Sequence, residues 1–195
     1  QAYGARINGT TNSDRTNYFE TVPSHVLQRA LWMEADRMGF LLPALTQAKL
    51  DNQREVVLNE KRQRYEITPY AKAFKILAET MWPKNHPYHN LTIGKTSDLE
   101  AASLEDVRRF FNTWYTPNNA TLVVSGHFNT DLVKDWIQRY FGPLPKLAEP
   151  KPVTEGSAPL PQAQTINTTD KVQLPRMYNT WRSPAFMHKG DAELD

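Results

Sequence analysis

The sequence predicts an α+β fold, an antiparallel sheet with helices on one face. Three observations carry that expectation. Several stretches repeat apolar side chains at helical spacing. Residues 2–22 set two short β-prone runs about a polar turn. Residues 120–125, Ala-Thr-Leu-Val-Val-Ser, are apolar and β-branched enough for a central strand.

The hairpin comes first along the chain. Ala2 to Thr10 and Thr16 to Val22 are its strands, and Thr11-Asn12-Ser13-Asp14-Arg15 has turn composition. Gly9 inside the first strand signals a bulge or a place where another backbone approaches closely. An exposed edge of this kind can take up an extended peptide by strand addition. Composition alone favours an ordinary edge strand.

Helices follow. After Pro23-Ser24, Leu27, Leu31, Ala35 and Met38 share a face, and Pro43 ends the pattern. Leu50 to Arg64 contains no Gly or Pro and reads as a long helix. Leu50, Val57 and the stem of Arg64 fall on one face of it, and so do Gln53 and Glu60. A carboxylate on a core-facing stripe is costly unless paired, hydrogen-bonded or bound to metal. The pattern alone favours an ion pair between Glu60 and a Lys or Arg of a neighbouring element. Pro69 restarts a third helix, Tyr70 to Met81, with Ala71, Phe74, Ile76, Leu77 and Met81 as its apolar set.

Residues 83–91 form a loop. His86 and His89 are spaced for a shared metal, but Pro87 lies between them and no further ligand is near, so two hydrogen-bonding histidines are the simpler reading. Ser103 and Asp106 have capping-box spacing before Leu104, Val107, Phe110, Phe111 and Trp114. Asn129 caps a last helix with Leu132, Val133, Trp136, Ile137, Tyr140 and Phe141, which Gly142-Pro143 stops. Prolines at 143, 145, 150, 152, 159 and 161 then mark an extended linker. Lys171 to Trp181 reads as another strand, with Pro175 placing it at an edge. The expected organisation is a domain over 1–142, a linker over 143–170 and the opening strand of a second domain over 171–195.

Bulk properties narrow the function. With 23 basic and 21 acidic residues in 195, nothing points to nucleic acid or an acidic membrane surface as partner. The absence of cysteine excludes thiol catalysis, disulfides and Cys-ligated zinc. No apolar run reaches the length of a membrane span. There is no Ser/His/Asp set and no phosphate-binding glycine loop. Gln1 is not an initiator residue, so the chain is expected to be a processed product or an excised piece.

Two stretches resemble the pitrilysin/insulysin family of zinc peptidases, which includes the mitochondrial processing peptidases. One is the hairpin Asn8-Gly-Thr-Thr-Asn-Ser-Asp-Arg-Thr-Asn-Tyr-Phe19. The other is Leu50-Asp-Asn-Gln-Arg-Glu-Val-Val-Leu-Asn-Glu-Lys-Arg-Gln-Arg-Tyr65, similar to the family's third-ligand helix. His86-Pro-Tyr88, Tyr115-Thr-Pro-Asn-Asn119 and the strand end Val123 to Gly126 follow in the family's order. The resemblance is closest to the bacterial branch. It implies a processing-peptidase-like metallohydrolase fold and hydrolysis of peptides held as an extended edge strand.

By register, the resemblance makes Glu60 the third zinc ligand, Gln53 a supporting position where the family often has Glu, and Asn8, Gly9 and Thr10 the substrate-holding strand. The family's other two ligands and its catalytic base lie in an inverted His-x-x-Glu-His motif. That motif belongs upstream of the hairpin and is absent from these residues, so no catalytic residue is expected here. Zinc is implied for an intact parent. This chain by itself is expected to hold none and to cleave nothing. Implied partners are peptide substrates and a second copy or homologous domain. The alternative is a non-catalytic partner domain of the same fold. The bacterial branch further implies a periplasmic or otherwise extracytoplasmic location.

Overall fold

The computed structural model describes residues 3–151 and 162–193. It is helix-rich α+β with one two-stranded antiparallel sheet among the described residues. The strands are β1 (Arg6–Thr11) and β2 (Thr16–Thr21). The helices are α1 (Leu27–Phe40), α2 (Gln47–Lys61), α3 (Ala71–Met81), α4 (Thr96–Ala101), α5 (Leu104–Trp114) and α6 (Thr130–Phe141). Contacts divide the chain into two compact units, 1–54 with 100–153 and 55–99 with 154–195, and the divide falls inside α2 and α4.

In the first unit the hairpin closes as its turn chemistry requires. Asn12 Oδ1 accepts from Asp14 N at 2.9 Å and Arg15 N at 2.9 Å, and Asn12 N donates to Arg15 O at 3.0 Å. The core is built by α1 and α6. Val26, Ala30, Leu31 and Ala35 are buried, as is Val133 of α6. Burying one Leu or Val side chain contributes about 1.5–3 kcal/mol. Gln28 Nε2 donates to Tyr140 Oη at 2.7 Å and ties the same two helices. Both expected caps form. Ser103 Oγ accepts from Asp106 N at 3.1 Å while Ser103 N donates to Asp106 Oδ2 at 3.0 Å. Asn129 Oδ1 accepts from Asp131 N and Leu132 N.

Three expectations are corrected here. Residues 120–125 are not a strand: Ala120 is extended, but no ladder partner exists among the described residues, and Val123 is 79% exposed. A strand needs a second backbone for its N–H and C=O groups, and composition cannot supply one. Gly9 makes no bulge, because the register from Arg6↔Thr21 to Thr11↔Thr16 is unbroken. Phe110 and Leu132, large apolar residues of the two capped helices, are half exposed rather than buried.

In the second unit the end of α2 runs into a π-helical turn, Arg62–Glu66, closed by Ile67 N donating to Arg62 O at 3.0 Å. Lys61 Nζ anchors this end to Gly94 O and Thr96 Oγ1, both at 2.9 Å. Tyr70, at φ 66, opens α3 in the left-handed region, uncommon for a bulky residue. Its N–H donates to Asp170 Oδ2 at 3.0 Å, its hydroxyl donates to Leu174 O at 2.9 Å, and Arg176 lies 4.0 Å from its ring centroid. Residues 170–182 run beside α3, with Tyr178 edge-on to Phe74 and Arg182 donating to Met81 O. No strand ladder forms over 171–181 among the described residues, and Met177 and Trp181 are exposed. Within the expected linker, residues 152–161 lie outside the described residues.

Candidate functional site

The hairpin presents a free strand edge. Among the described residues β1 pairs with β2 alone, and all six β1 residues are exposed. Antiparallel pairs alternate between hydrogen-bonded and non-bonded. The Asn12–Arg15 closure makes Thr10↔Asn17 and Asn8↔Phe19 the bonded pairs. The main-chain groups of Ile7, Gly9 and Thr11 therefore point away from β2, to the open edge. Gly9 N donates to Asn8 Oδ1 at 2.8 Å, so the Asn8 side chain sits where the carbonyl of an added strand would bond. Thr10 Oγ1 accepts from Arg15 Nη1 at 2.9 Å.

Gly9 is explained by its neighbour on β2. A Cβ there would lie 3.3 Å from Asn17 O and 3.4 Å from Tyr18 Cδ1. The predicted close approach is thus made by the paired strand and the Tyr18 ring.

Beneath β2 lies a polar cluster that sequence reasoning did not find. The Arg37 guanidinium sits 3.7 Å from the Tyr18 ring centroid and is ion-paired with Glu34. Burial, then the hydrogen bond that the Tyr18 hydroxyl makes to the neighbouring Tyr115, pushes the Tyr18 phenol up to about 12. Burial, then the Glu34 carboxylate, raises the Glu20 carboxyl above its ordinary value, and Arg37 opposes the shift. The one available signal was period two: Tyr18 and Glu20 share the strand face that also carries Gly9.

Glu60 is placed differently from its sequence reading. No residue of α2 is buried, so the stripe of Leu50, Gln53, Val57 and Glu60 does not face a core in this structure. A periodic pattern shows which residues share a face, not whether anything covers it. The Glu60 side chain is 40% exposed and pairs with Arg64 Nη1 at 3.2 Å, one turn along its own helix rather than across an interface. Gln53 is exposed two turns earlier. Glu60 falls in the second unit, and Gln53, Asn8, Gly9 and Thr10 fall in the first.

The donor set does not suffice for a zinc centre. Catalytic zinc needs about three protein ligands. Among the described residues no three His, Cys, Asp or Glu side chains converge, and the Glu60 carboxylate already faces a guanidinium. His86 and His89 are committed elsewhere. His86 Nδ1 accepts from Tyr88 N at 3.1 Å, and buried His89 places Nδ1 2.8 Å from Trp82 O. His86 stacks on Trp82 at 4.2 Å between centroids. These are the hydrogen-bonding roles expected from the loop. No described helix is long and apolar enough to cross a membrane.

Residues 101–195 match the family described as Peptidase M16 inactive domain. Over 196 aligned residues the chain is 29% identical to the zinc protease PqqE of Helicobacter pylori, covering 99% of this chain and 44% of that protein. The crystal structure of a protease from Helicobacter pylori superposes with a TM-score of 0.70 at 28% identity, over 79% of this chain and 36% of that one. The first half of the periplasmic protease PqqL from Escherichia coli shares the fold, with a TM-score of 0.65 at 18% identity, over 78% of this chain and 32% of that one. The chain thus spans less than half the length of the curated relative that it matches along nearly its whole extent. The chain is homologous to the insulinase-like PqqE/PqqL zinc proteases, with bacterial proteases among its neighbours, and its residues 101–195 match the M16 inactive domain.

Proposed function

We propose that this chain is part of a zinc-dependent metalloendopeptidase, which it supplies with a peptide-holding edge strand and a third zinc ligand. The observation that carries the reading is the open edge of β1, where Ile7, Gly9 and Thr11 turn main-chain groups away from β2, beside the side chains of Asn8 and Thr10. An extended peptide adding there would gain the alternating hydrogen bonds of a ladder. Glu60 is the residue assigned to the metal and Gln53 the group supporting it. Similarity to the zinc protease PqqE along nearly the whole chain supports both assignments. The residues present do not complete the metal site, so the chain alone binds peptide without hydrolysing it.

A second reading has its own support. The family match over 101–195 is to an inactive domain. A non-catalytic partner that pairs with a catalytic half, or with a second copy, would use the same fold. Residues 120–125, apolar and without a ladder partner among the described residues, offer one place for such pairing. The assigned organisation remains a domain over 1–142, a linker over 143–170 and the start of a homologous domain over 171–195. The assigned compartment is extracytoplasmic, by analogy with PqqL, a periplasmic protease.

The test follows a fluorescein-labelled decapeptide of alternating Thr and Val, capped with Lys at both ends. With this chain, anisotropy is expected to rise with protein concentration while the peptide stays intact in the presence of zinc. Chelator-sensitive cleavage by the chain alone would overturn the proposal, and so would the absence of binding.

A further inference from the structure

The residues behind Gly9 form a continuous line into α1. Gly9 and Tyr18 are a non-bonded pair, the closer of the two antiparallel pair types. The Tyr18 ring leans over Gly9, 3.4 Å from where a Cβ would stand. The Arg37 guanidinium packs on that ring at 3.7 Å. Arg37 is held in turn by Glu34, one helical turn earlier, through an ion pair that includes Nε donating to Oε1 at 3.4 Å. Both Arg37 and Glu34 are partly buried, so their rotamers are restricted. The Tyr115 hydroxyl meets Tyr18 and the Glu20 carboxyl faces Glu34, which completes the charged and titratable groups around the ring.

We propose that Arg37 is a positioning residue for peptide capture: clamped by Glu34 and stacked on Tyr18, it fixes the strand pair so that the main-chain groups of Gly9 stay aimed at the open edge. The proposal rests on the reading of β1 as the peptide-holding strand. Arg37 touches no peptide itself. A planar guanidinium can stack on the ring and fork onto the carboxylate together, whereas an ammonium keeps the charge and loses that combination.

Three chains are compared by amide hydrogen exchange, NMR titration of the Glu20 carboxyl, and anisotropy with the Lys-capped Thr/Val decapeptide. They are wild type, Arg37→Met and Arg37→Lys. Exchange is read at Asn8, Thr10, Asn17 and Phe19, whose amides lie in the ladder. Arg37→Met is expected to speed their exchange about two- to fivefold, as loss of a partly exposed cation–π contact implies. Peptide binding weakens by a similar factor. Val133 and Ile137 of α6 keep their protection, showing that the helices remain packed. The Glu20 midpoint moves up in Arg37→Met, because Arg37 holds it down. It stays near wild type in Arg37→Lys, while hairpin protection is only partly kept. A merely space-filling side chain would not separate these two variants.

Unchanged exchange and an unmoved Glu20 titration in Arg37→Met overturn the proposal. So does peptide affinity unchanged in Arg37→Met despite altered exchange. If wild type binds no peptide, the edge-strand reading and the positioning role both fall, while the exchange and titration data separately decide whether the clamp exists. Should Arg37→Met fail to fold, Tyr18→Leu serves instead. It keeps the Arg37–Glu34 pair and removes the ring, and full ladder protection in it refutes the clamp.

Discussion

Replacing Glu60 by Ala tests whether this residue has a structural duty. Among the described residues its carboxylate makes one ion pair, with Arg64 at 3.2 Å, and the two side chains are 40% and 69% exposed. Exposed pairs at this helical spacing contribute about 0.3–0.5 kcal/mol, and salt screens them further. Ala is a better helix former than Glu by a few tenths of a kcal/mol, which offsets part of that loss. The net change should stay within about 0.5 kcal/mol. For a chain of this length that is a shift in Tm of about 1–2 °C. Urea unfolding followed by far-UV circular dichroism measures it. A loss of about 2 kcal/mol or more, with an unchanged m-value, refutes the reasoning, since it would place Glu60 in a buried network in which its removal strands a charge. A near-neutral result leaves the carboxylate free of any role in stability, as a residue kept for metal would be.

Asn129→Ala removes the side chain that accepts from both Asp131 N and Leu132 N, and should cost about 1 kcal/mol in thermal or urea unfolding. Glu20 titrates above its ordinary value because of burial and the Glu34 carboxylate. The folded state then binds more protons than the unfolded state between the two values. The stability so contributed is present below the unfolded value and is lost as pH rises through the folded one. Glu20→Gln should flatten that part of the pH–stability profile, and a profile unchanged in the variant contradicts the assignment. The Ser103–Asp106 box carries the opposite sign, because the hydrogen bonds from Ser103 hold Asp106 below its ordinary value. Its contribution is lost as pH falls, and Asp106→Asn should remove that acid-side loss.

Helices and caps were legible because their causes are local. Ser103, Asn129 and the apolar repeat in α6 specify start, stop and face within a dozen residues. The hairpin turn was legible for the same reason, through Asn12. α4 was missed: only Leu99 among its six residues is a large apolar side chain, too little to set a period. Residues 120–125 were read as a strand from side chains, but a strand is defined by a partner backbone, which lies beyond any local signal. Glu60 shows the same limit. Its register along α2 was readable, while the exposure of its face depends on what packs there. The Arg37–Tyr18 stack joins two elements through space, and nothing in either stretch announces it.

The most direct measurement is to map the Lys-capped Thr/Val decapeptide onto the isotope-labelled chain by NMR. The account predicts amide shift changes centred on Ile7, Gly9 and Thr11, whose main chains face the open edge, with Asn8 and Thr10 side-chain resonances moving as the Asn8 Oδ1 bond to Gly9 N is displaced. Shift changes confined to residues away from β1, or none at saturating peptide, would contradict it.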